Sequence, residues 1–370
     1  MESNDFPRFR DYLRNNLPGW KGLADSEIEF ILFNSITNKV YKVTAKKEGI
    51  SPQVVILRNF CGKEGIVDKE KEIKVFKEMS KTGFGPKCYS QEDDIRLEEF
   101  IPSRTILPHE YKEKIIRRKL ARTLAAIHSL EVPEVERVSL FEGILKDTRF
   151  LRMYDEKCEE DIYSPEEKEI INKVKQATSQ EEKDFIDSIL PKDDIVFSHN
   201  DLLQGNILIS EAKEETVFID YEYASYNFRG YDIGNMFKEA TFDYRVPQRP
   251  YFQIIDANFP NDEELRDFLK YYLVFVKMST SEQNERGDEM IENEELVHEY
   301  LDKFYQPEKL KERIETLIKE TMIGYMLSFH YWLVWAVKMH KTVDIEFDYL
   351  EFARVHYERY LDLKKKIFDK

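Results

Sequence analysis

Ser198-His-Asn-Asp-Leu-Leu-Gln-Gly-Asn-Ile-Leu-Ile209, followed by Val217-Phe-Ile-Asp-Tyr-Glu222, decides how the rest of the chain is read. Asp201 and Asn206 stand in a His-x-Asp-x-x-x-x-Asn array, and Asp220 ends an apolar run in an Ile-Asp-Tyr-Glu context. In phosphoryl transfer the first carboxylate accepts the proton of the attacking hydroxyl, while the asparagine and the later aspartate hold magnesium against nucleotide phosphates. Magnesium (Mg2+) takes hard oxygen ligands, which an amide oxygen and a carboxylate supply.

The spacing has a mechanical reason. Two short β-prone runs, Ile207-Leu-Ile209 and Val217-Phe-Ile219, flank Ser210-Glu-Ala-Lys-Glu-Glu215, which reads as a polar turn between hairpin strands. Such a hairpin returns Asn206 and Asp220 to one end. Taken singly, an Asn before a strand is an ordinary turn residue and an Asp after one an ordinary cap. The pair in this order carries the reading, provided the hairpin exists.

The chain has 370 residues, long enough for two lobes with separate cores. Its 42% hydrophobic and 13% aromatic content suits a globular protein. Met1-Glu-Ser-Asn-Asp5 is acidic and unlike a secretion signal, and the apolar stretch Tyr325 to Val337 is too short to span a bilayer. Cys61, Cys88 and Cys158 lie far apart, without a metal-like pair. Together these features predict a reduced, cytoplasmic protein. The net charge of −16 argues against nucleic acid as a partner; it attracts a small cation or merely keeps the chain soluble.

From the N-terminus, Phe6, Phe9, Tyr12, Leu13 and Leu17 predict a helix ending near Pro18-Gly19. Strands are expected at Ile28 to Phe33, Val40 to Val43, Val54 to Leu57 and Ile95 to Leu97, with a helix over Asp68 to Ser80. Phe33-Asn-Ser-Ile-Thr-Asn-Lys39 is a polar turn, and Arg58 closes the third strand. Arg96-Leu-Glu-Glu-Phe-Ile-Pro-Ser-Arg104 leads into a proline-broken connector, read as the hinge. Beyond His109 the pattern is helical, with Ile116, Leu120, Leu124 and Ile127 on one stripe and His128 packed at its end. Asp155 to Gln180 reads as exposed helix or loop, and the acidic Ser281 to Glu295 as a mobile insertion. Trp332 and Trp335 share a helix face, which from spacing alone means core packing.

His199-Asn-Asp-Leu-Leu-Gln-Gly-Asn206 and Ile219-Asp-Tyr-Glu-Tyr-Ala-Ser-Tyr-Asn-Phe-Arg-Gly-Tyr-Asp-Ile-Gly-Asn-Met-Phe237 resemble the choline/ethanolamine kinase family, more nearly its choline kinases. The resemblance implies a bilobal, protein-kinase-like α+β fold. Residues 1–100 then form a small sheet-rich N-lobe and residues 101–370 a large helical C-lobe. It implies transfer of phosphate from ATP to choline, releasing ADP, the first step of phosphatidylcholine synthesis from choline, and it implies that a homodimer is common. Asp201 becomes the base, and Asn206, Asp220 and Glu222 the magnesium ligands.

Carried over position by position, the resemblance puts Arg58 on the nucleotide phosphates with Glu72 on the following helix as its ion-pair partner. Ser35, Thr37 and Asn38 cover the phosphates, although the one or two glycines usual before Thr-Asn are missing here. Glu99 and Ile101 meet the adenine through the main chain, and Gln204 joins the nucleotide site. Trp332, Trp335 and Tyr244 box a quaternary ammonium head, Tyr223 also binds the substrate, and Glu239 adds a longer-range negative charge. Phe352 stands where choline kinases often carry tyrosine. A trimethylammonium head has no N–H to donate, so ring faces must recognise it. The rivals are an ethanolamine kinase, which would want hydrogen-bond acceptors for a primary ammonium, and a nucleotide-binding scaffold without catalysis.

Overall fold

Alternation in Lys39-Val-Tyr-Lys-Val-Thr-Ala45 buries Tyr41, Val43 and Ala45 and leaves their neighbours partly wet, the period of a strand with one face against a core. It is one strand of an antiparallel sheet seen in a computed structural model. The structure describes residues 5–33, 38–60, 69–92, 94–133, 135, 164–191, 194–212, 214–340 and 346–369. Two compact units result, Met1–Arg104 with Ile209–Glu222, and Thr105–Leu208 with Tyr223–Lys370.

In chain order the helices are α1 (Phe6–Asn16), α2 (Lys69–Thr82), α3 (Lys114–His128), α4 (Pro165–Ala177), α5 (Gln180–Ile189), α6 (Arg229–Ala240), α7 (Asp262–Lys277), α8 (Thr280–Glu292), α9 (Glu294–Leu301), α10 (Pro307–Met339) and α11 (Tyr349–Phe368). The strands are β1 (Ile28–Phe33), β2 (Lys39–Ala45), β3 (Val54–Asn59), β4 (Cys88–Gln91), β5 (Ile95–Glu99), β6 (Ser103–Thr105), β7 (Ile195–Ser198), β8 (Ile207–Ser210), β9 (Thr216–Phe218), β10 (Ser225–Phe228), β11 (Phe242–Asp243) and β12 (Gln253–Ile254).

The first unit is built on a five-stranded sheet ordered β1-β2-β3-β5-β4. Its register sets Leu57 between Tyr41 and Leu97, and Arg58 between Val40 and Arg96. Phe9, Tyr12 and Leu13 on α1 close one apolar face over Tyr41, Val43, Val55, Leu57 and Leu97. The four strands and two helices expected here are present, and β4 is added. Cys88-Tyr-Ser-Gln91 is half-buried throughout and lacks alternation, so nothing in its pattern announced a strand. The hairpin required between Asn206 and Asp220 is also present: β8 and β9 are neighbours in a sheet ordered β6-β8-β9, with Ser210 N donating to Glu215 O at 2.9 Å.

The second unit is helical, and its centre is the contact of α6 with α10. A Cβ on Gly230 would sit 2.3 Å from Glu320 O, one on Gly234 2.1 Å from Tyr325 N, and one on Gly324 1.9 Å from Gly230 O. The two backbones therefore touch with no side chain between them. Around this contact a core of Tyr231, Phe242, Met326, Phe329, Trp332 and Phe352 assembles.

Two sequence readings change. The acidic stretch Ser281 to Glu295 is not a loose insertion, because most of it lies in α8 and α9, pinned by cations from α3. Arg122 donates to Asp288 Oδ1 at 2.8 Å, and Arg118 to Glu294 Oε1 at 2.6 Å and Ile291 O at 2.9 Å. Of the stretch from Asp155 to Gln180, residues 155–163 lie outside the described residues. The remainder includes α4, which buries Ile170, Ile171 and Val174 beneath a Ser164 cap. Among the described residues no helix is long and apolar enough to cross a membrane.

Gly234→Ala should force α6 and α10 apart and lower the stability of the second unit by about 1–3 kcal/mol, read as a lower urea midpoint. An unchanged midpoint would contradict the contact. Burial also lowers the pKa of His128, His330 and His356 from the ordinary value of 6.5. The unfolded chain then binds more protons below pH 6.5, so this stability is complete above that pH and is lost as the pH falls. Thermal melts at pH 7.5 and 5.5 should show the lower transition at the lower pH.

Candidate active site

In the first unit, Arg58 leaves β3 with its Nε donating to Glu98 Oε1 at 2.9 Å and its Nη1 3.5 Å from Asp220 Oδ1. Burial pulls the guanidinium pKa down, and Glu98, Asp220 and Glu72 more than reverse the pull, so it is raised. The expected pairing of Arg58 with Glu72 is not what forms. Arg96 on β5, opposite Arg58 in register, takes Glu72 with two hydrogen bonds of 2.9 and 2.8 Å and reaches Glu98 Oε1 at 2.9 Å. Both cations share Glu98, and Arg96 takes the helix carboxylate that the reading paired with Arg58. Phe76 stacks 3.6 Å below the Arg96 guanidinium.

Asp220 has φ of 66°, a left-handed backbone that Asp tolerates better than most residues but that still costs free energy. The turn is held from behind by Tyr221, fully buried, whose hydroxyl donates to Phe218 O at 2.6 Å. Glu222 stands half-buried in the same turn.

In the second unit, the loop carrying Asp201 hangs from α6. Asp232 accepts from the backbone N–H of His199 and of Asn200, both at 2.6 Å, and lies 3.1 Å from His128 Nε2. Asn235, one turn further, accepts from Leu202 N at 2.8 Å and donates to Ser328 on α10 at 3.0 Å. Asn200 is also left-handed, with φ of 66°, and its side chain accepts from Asn227 at 2.9 Å. His199 supports the loop backbone, its Nδ1 lying 3.4 Å from Asp201 N. Gln204, expected at the nucleotide, donates to the carbonyls of Glu239 and Phe242, which ties the loop to the end of α6.

Asn206 donates to Asp201 O at 2.9 Å and to Asp201 Oδ2 at 3.0 Å. Its amide nitrogen is thereby committed, and its Oδ1 accepts no hydrogen bond from the described residues. Asp220 likewise keeps one carboxylate oxygen without such a partner. A carbonyl oxygen and a carboxylate oxygen are each, taken singly, donor chemistry that magnesium accepts. No three His, Cys, Asp or Glu side chains gather as a metal site among the described residues.

Rings from α10 and α11 gather with Tyr223 and Tyr244 at the core of the second unit. Trp332 and Trp335 meet edge to face at 5.2 Å, Tyr223 meets Trp332 at 5.6 Å, and Trp335 Nε1 donates to Tyr223 OH at 2.9 Å. Tyr244 packs near Phe352 at 6.5 Å and donates its hydroxyl to Glu239 Oε2 at 2.8 Å. Burial, and then Glu239, holds the Tyr244 pKa well above its usual range. Trp332 Nε1 is buried without a hydrogen-bond partner. Gln204 in the Asp201 loop donates to Glu239 O and Glu239 accepts from Tyr244, so the loop and the rings meet at the end of α6.

The other predicted residues fall within the first unit. Ser35 and Thr37 lie outside the described residues, and Asn38 is half-buried just before β2. Glu99 N donates to Lys87 O at 2.9 Å, and Ile101 O accepts from Ser103 Oγ at 2.8 Å.

The family model of choline/ethanolamine kinase matches residues 30–361. This chain belongs to the choline/ethanolamine kinase family. Similar relatives from Arabidopsis thaliana carry both names. One is called a probable ethanolamine kinase, 27% identical across 98% of this chain and 86% of the relative. Another is called probable choline kinase 2, 28% identical across 94% and 89%. A choline kinase from Cryptosporidium parvum superposes with a TM-score of 0.74 at 22% identity, over 99% of this chain and 97% of the other. The fold is the α+β fold of these kinases, of protein-kinase type.

For a kinase of this family, the residues missed in the sequence are those that hold others. Asp232 and Asn235 stand i, i+3 in Tyr231-Asp-Ile-Gly-Asn235, a signal of one polar face on an otherwise apolar helix. Arg96, between Ile95 and Leu97, left a fainter mark, and Lys238, beside Glu239, left none. Arg96→Met should cost about 3–5 kcal/mol, because Glu72 and Glu98 are left buried without it. The double variant Arg96→Met/Glu72→Gln should recover part of that loss in thermal unfolding.

Proposed function

We propose that this kinase transfers the γ-phosphoryl group of ATP to the hydroxyl of choline, giving phosphocholine and ADP at the entry to phosphatidylcholine synthesis. The observation that carries the reading is that Asp201 shares its unit with the Trp332, Trp335, Tyr223 and Tyr244 rings, its loop tied through Gln204 to Glu239, whose carboxylate accepts from Tyr244. A carboxylate to take a proton and ring faces to hold a cation that cannot donate hydrogen bonds are what an ammonium alcohol requires.

The acceptor oxygen attacks the γ-phosphorus as the bond to the bridging oxygen of ADP breaks, and the hydroxyl proton passes to Asp201. Asn206, donating to Asp201 Oδ2, fixes the rotamer of that carboxylate. Asp232 and Asn235 hold its backbone, so Asp201 meets the hydroxyl without reorganising. Arg58 steadies the nucleotide phosphates, oriented by Glu98. Asn206, Asp220 and Glu222 would be the ligands of magnesium, and the ion would neutralise phosphate charge. Ethanolamine is the second reading, favoured by the relative named for it.

Asp201→Ala should lower turnover by about 10²–10⁴-fold while ATP binding, followed by calorimetry, persists. Turnover kept within a few-fold of the parent removes Asp201 as the base. Parallel assays with choline and ethanolamine at equal concentration assign the acceptor.

A further inference from the structure

Lys238 is a fully buried lysine on α6, and its surroundings are those of a bound cation. Its ammonium lies 5.1 Å from the ring centroid of Phe242 and 5.8 Å from those of Phe329, Trp332 and Phe352. Ring faces attract a cation within about 6 Å, more strongly when water is excluded. Trp332 and Phe352 belong to the set read above as holding the acceptor's head. Their faces are already engaged by a charge of the chain's own.

The negative charge of the region is engaged as well. Glu239 Oε1 is paired with the Lys238 ammonium, and Oε2 accepts from Tyr244. His356 completes the shell. Its Nδ1 donates to Phe352 O at 2.8 Å, a carbonyl that can only accept, so Nε2 carries the lone pair and faces Lys238 Nζ at 3.3 Å. Burial and the lysine's charge both keep that imidazole neutral. One carboxylate, one imidazole and four rings thus replace the water that Lys238 lost.

We propose that Lys238 is the specificity-determining residue of the acceptor site, a resident cation that takes up the ring faces and Glu239 and so weakens binding of a quaternary ammonium. The naming of the pocket's ligand rests on the phosphotransfer reading; the electrostatic argument does not. A second cation among these rings meets a like charge at short range in a medium with little water, while the Lys238–Glu239 pair offers no net attraction in return. A neutral alcohol of the same shape meets no such penalty. Without Lys238, Glu239 faces the rings with its charge unmatched and a quaternary ammonium takes the vacated place.

The test is calorimetric titration of tetramethylammonium into the whole chain, the parent beside Lys238→Met, Lys238→Gln and Lys238→Arg. The Met and Gln variants should bind about tenfold more tightly or better, a gain within the range of a few ring contacts. The Arg variant keeps the charge and should match the parent. Should the Met variant fail to fold, Gln, whose amide still donates to Glu239, carries the comparison. Equal affinity in parent and neutral variants, or no binding to any of them, overturns the proposal. Kinetics supply the second arm, with choline against its uncharged isostere 3,3-dimethylbutan-1-ol. In the neutral variants the KM for choline should fall about tenfold relative to that for the isostere, with kcat less affected. A purely structural lysine would move both acceptors alike. Absence of turnover with every alcohol removes the phosphotransfer reading, and the titration still decides the role of Lys238.

Discussion

Two helices whose backbones touch set the positions of nearly everything in the second unit. Gly230 and Gly234 on α6 face Gly324 and Tyr325 on α10 with no room for a Cβ. At that distance a small change in helix spacing moves both partners' side chains together. The approach places Asp232, Asn235, Lys238 and Glu239 on one partner, and Ser328, Trp332 and Trp335 on the other. The hydrogen bond from Asn235 to Ser328 crosses the contact, and the loop holding Asp201 is suspended from the same helix face. Packing and the placement of the Asp201 loop therefore share one cause.

Buried charge recurs as the way this chain orients its polar groups. Asp232 is completely buried yet receives two backbone N–H groups and lies beside an imidazole, which fixes the loop direction more firmly than a neutral side chain would. In the first unit, Glu98 binds Arg58 and Arg96 at once, while Glu72 anchors Arg96. Such groups gain little net stability over an apolar core, and their value lies in allowing one arrangement only. Lys238 follows the same pattern, with the difference that its partners are the rings a ligand would also seek.

Strain marks two turns of the candidate site. Asn200 and Asp220 both take left-handed backbones although neither is glycine. Each is held there by neighbours: Asn200 by Asp232 and Asn227, and the Asp220 turn by the buried Tyr221 hydroxyl on Phe218 O. The cost is carried by the surrounding hydrogen bonds, as at other preorganised sites.

Much of this was legible in the order of residues. Local patterns marked β1, β2, β3 and β5, the helices α1 to α3, the β8–β9 hairpin and the spacing of Asp201, Asn206 and Asp220, because each depends on neighbours within a few positions along the chain. The motif also named the family. Four things were not legible: that Glu72 answers Arg96 and not Arg58, that α8 and α9 are pinned to α3, that Asp232 carries the loop, and that Lys238 enters the rings. Each is a choice among charged partners distant in sequence, and charge has no periodicity to read. Which cation meets which carboxylate is decided by how closely backbones approach once water has been excluded, and that distance exists only in the folded chain.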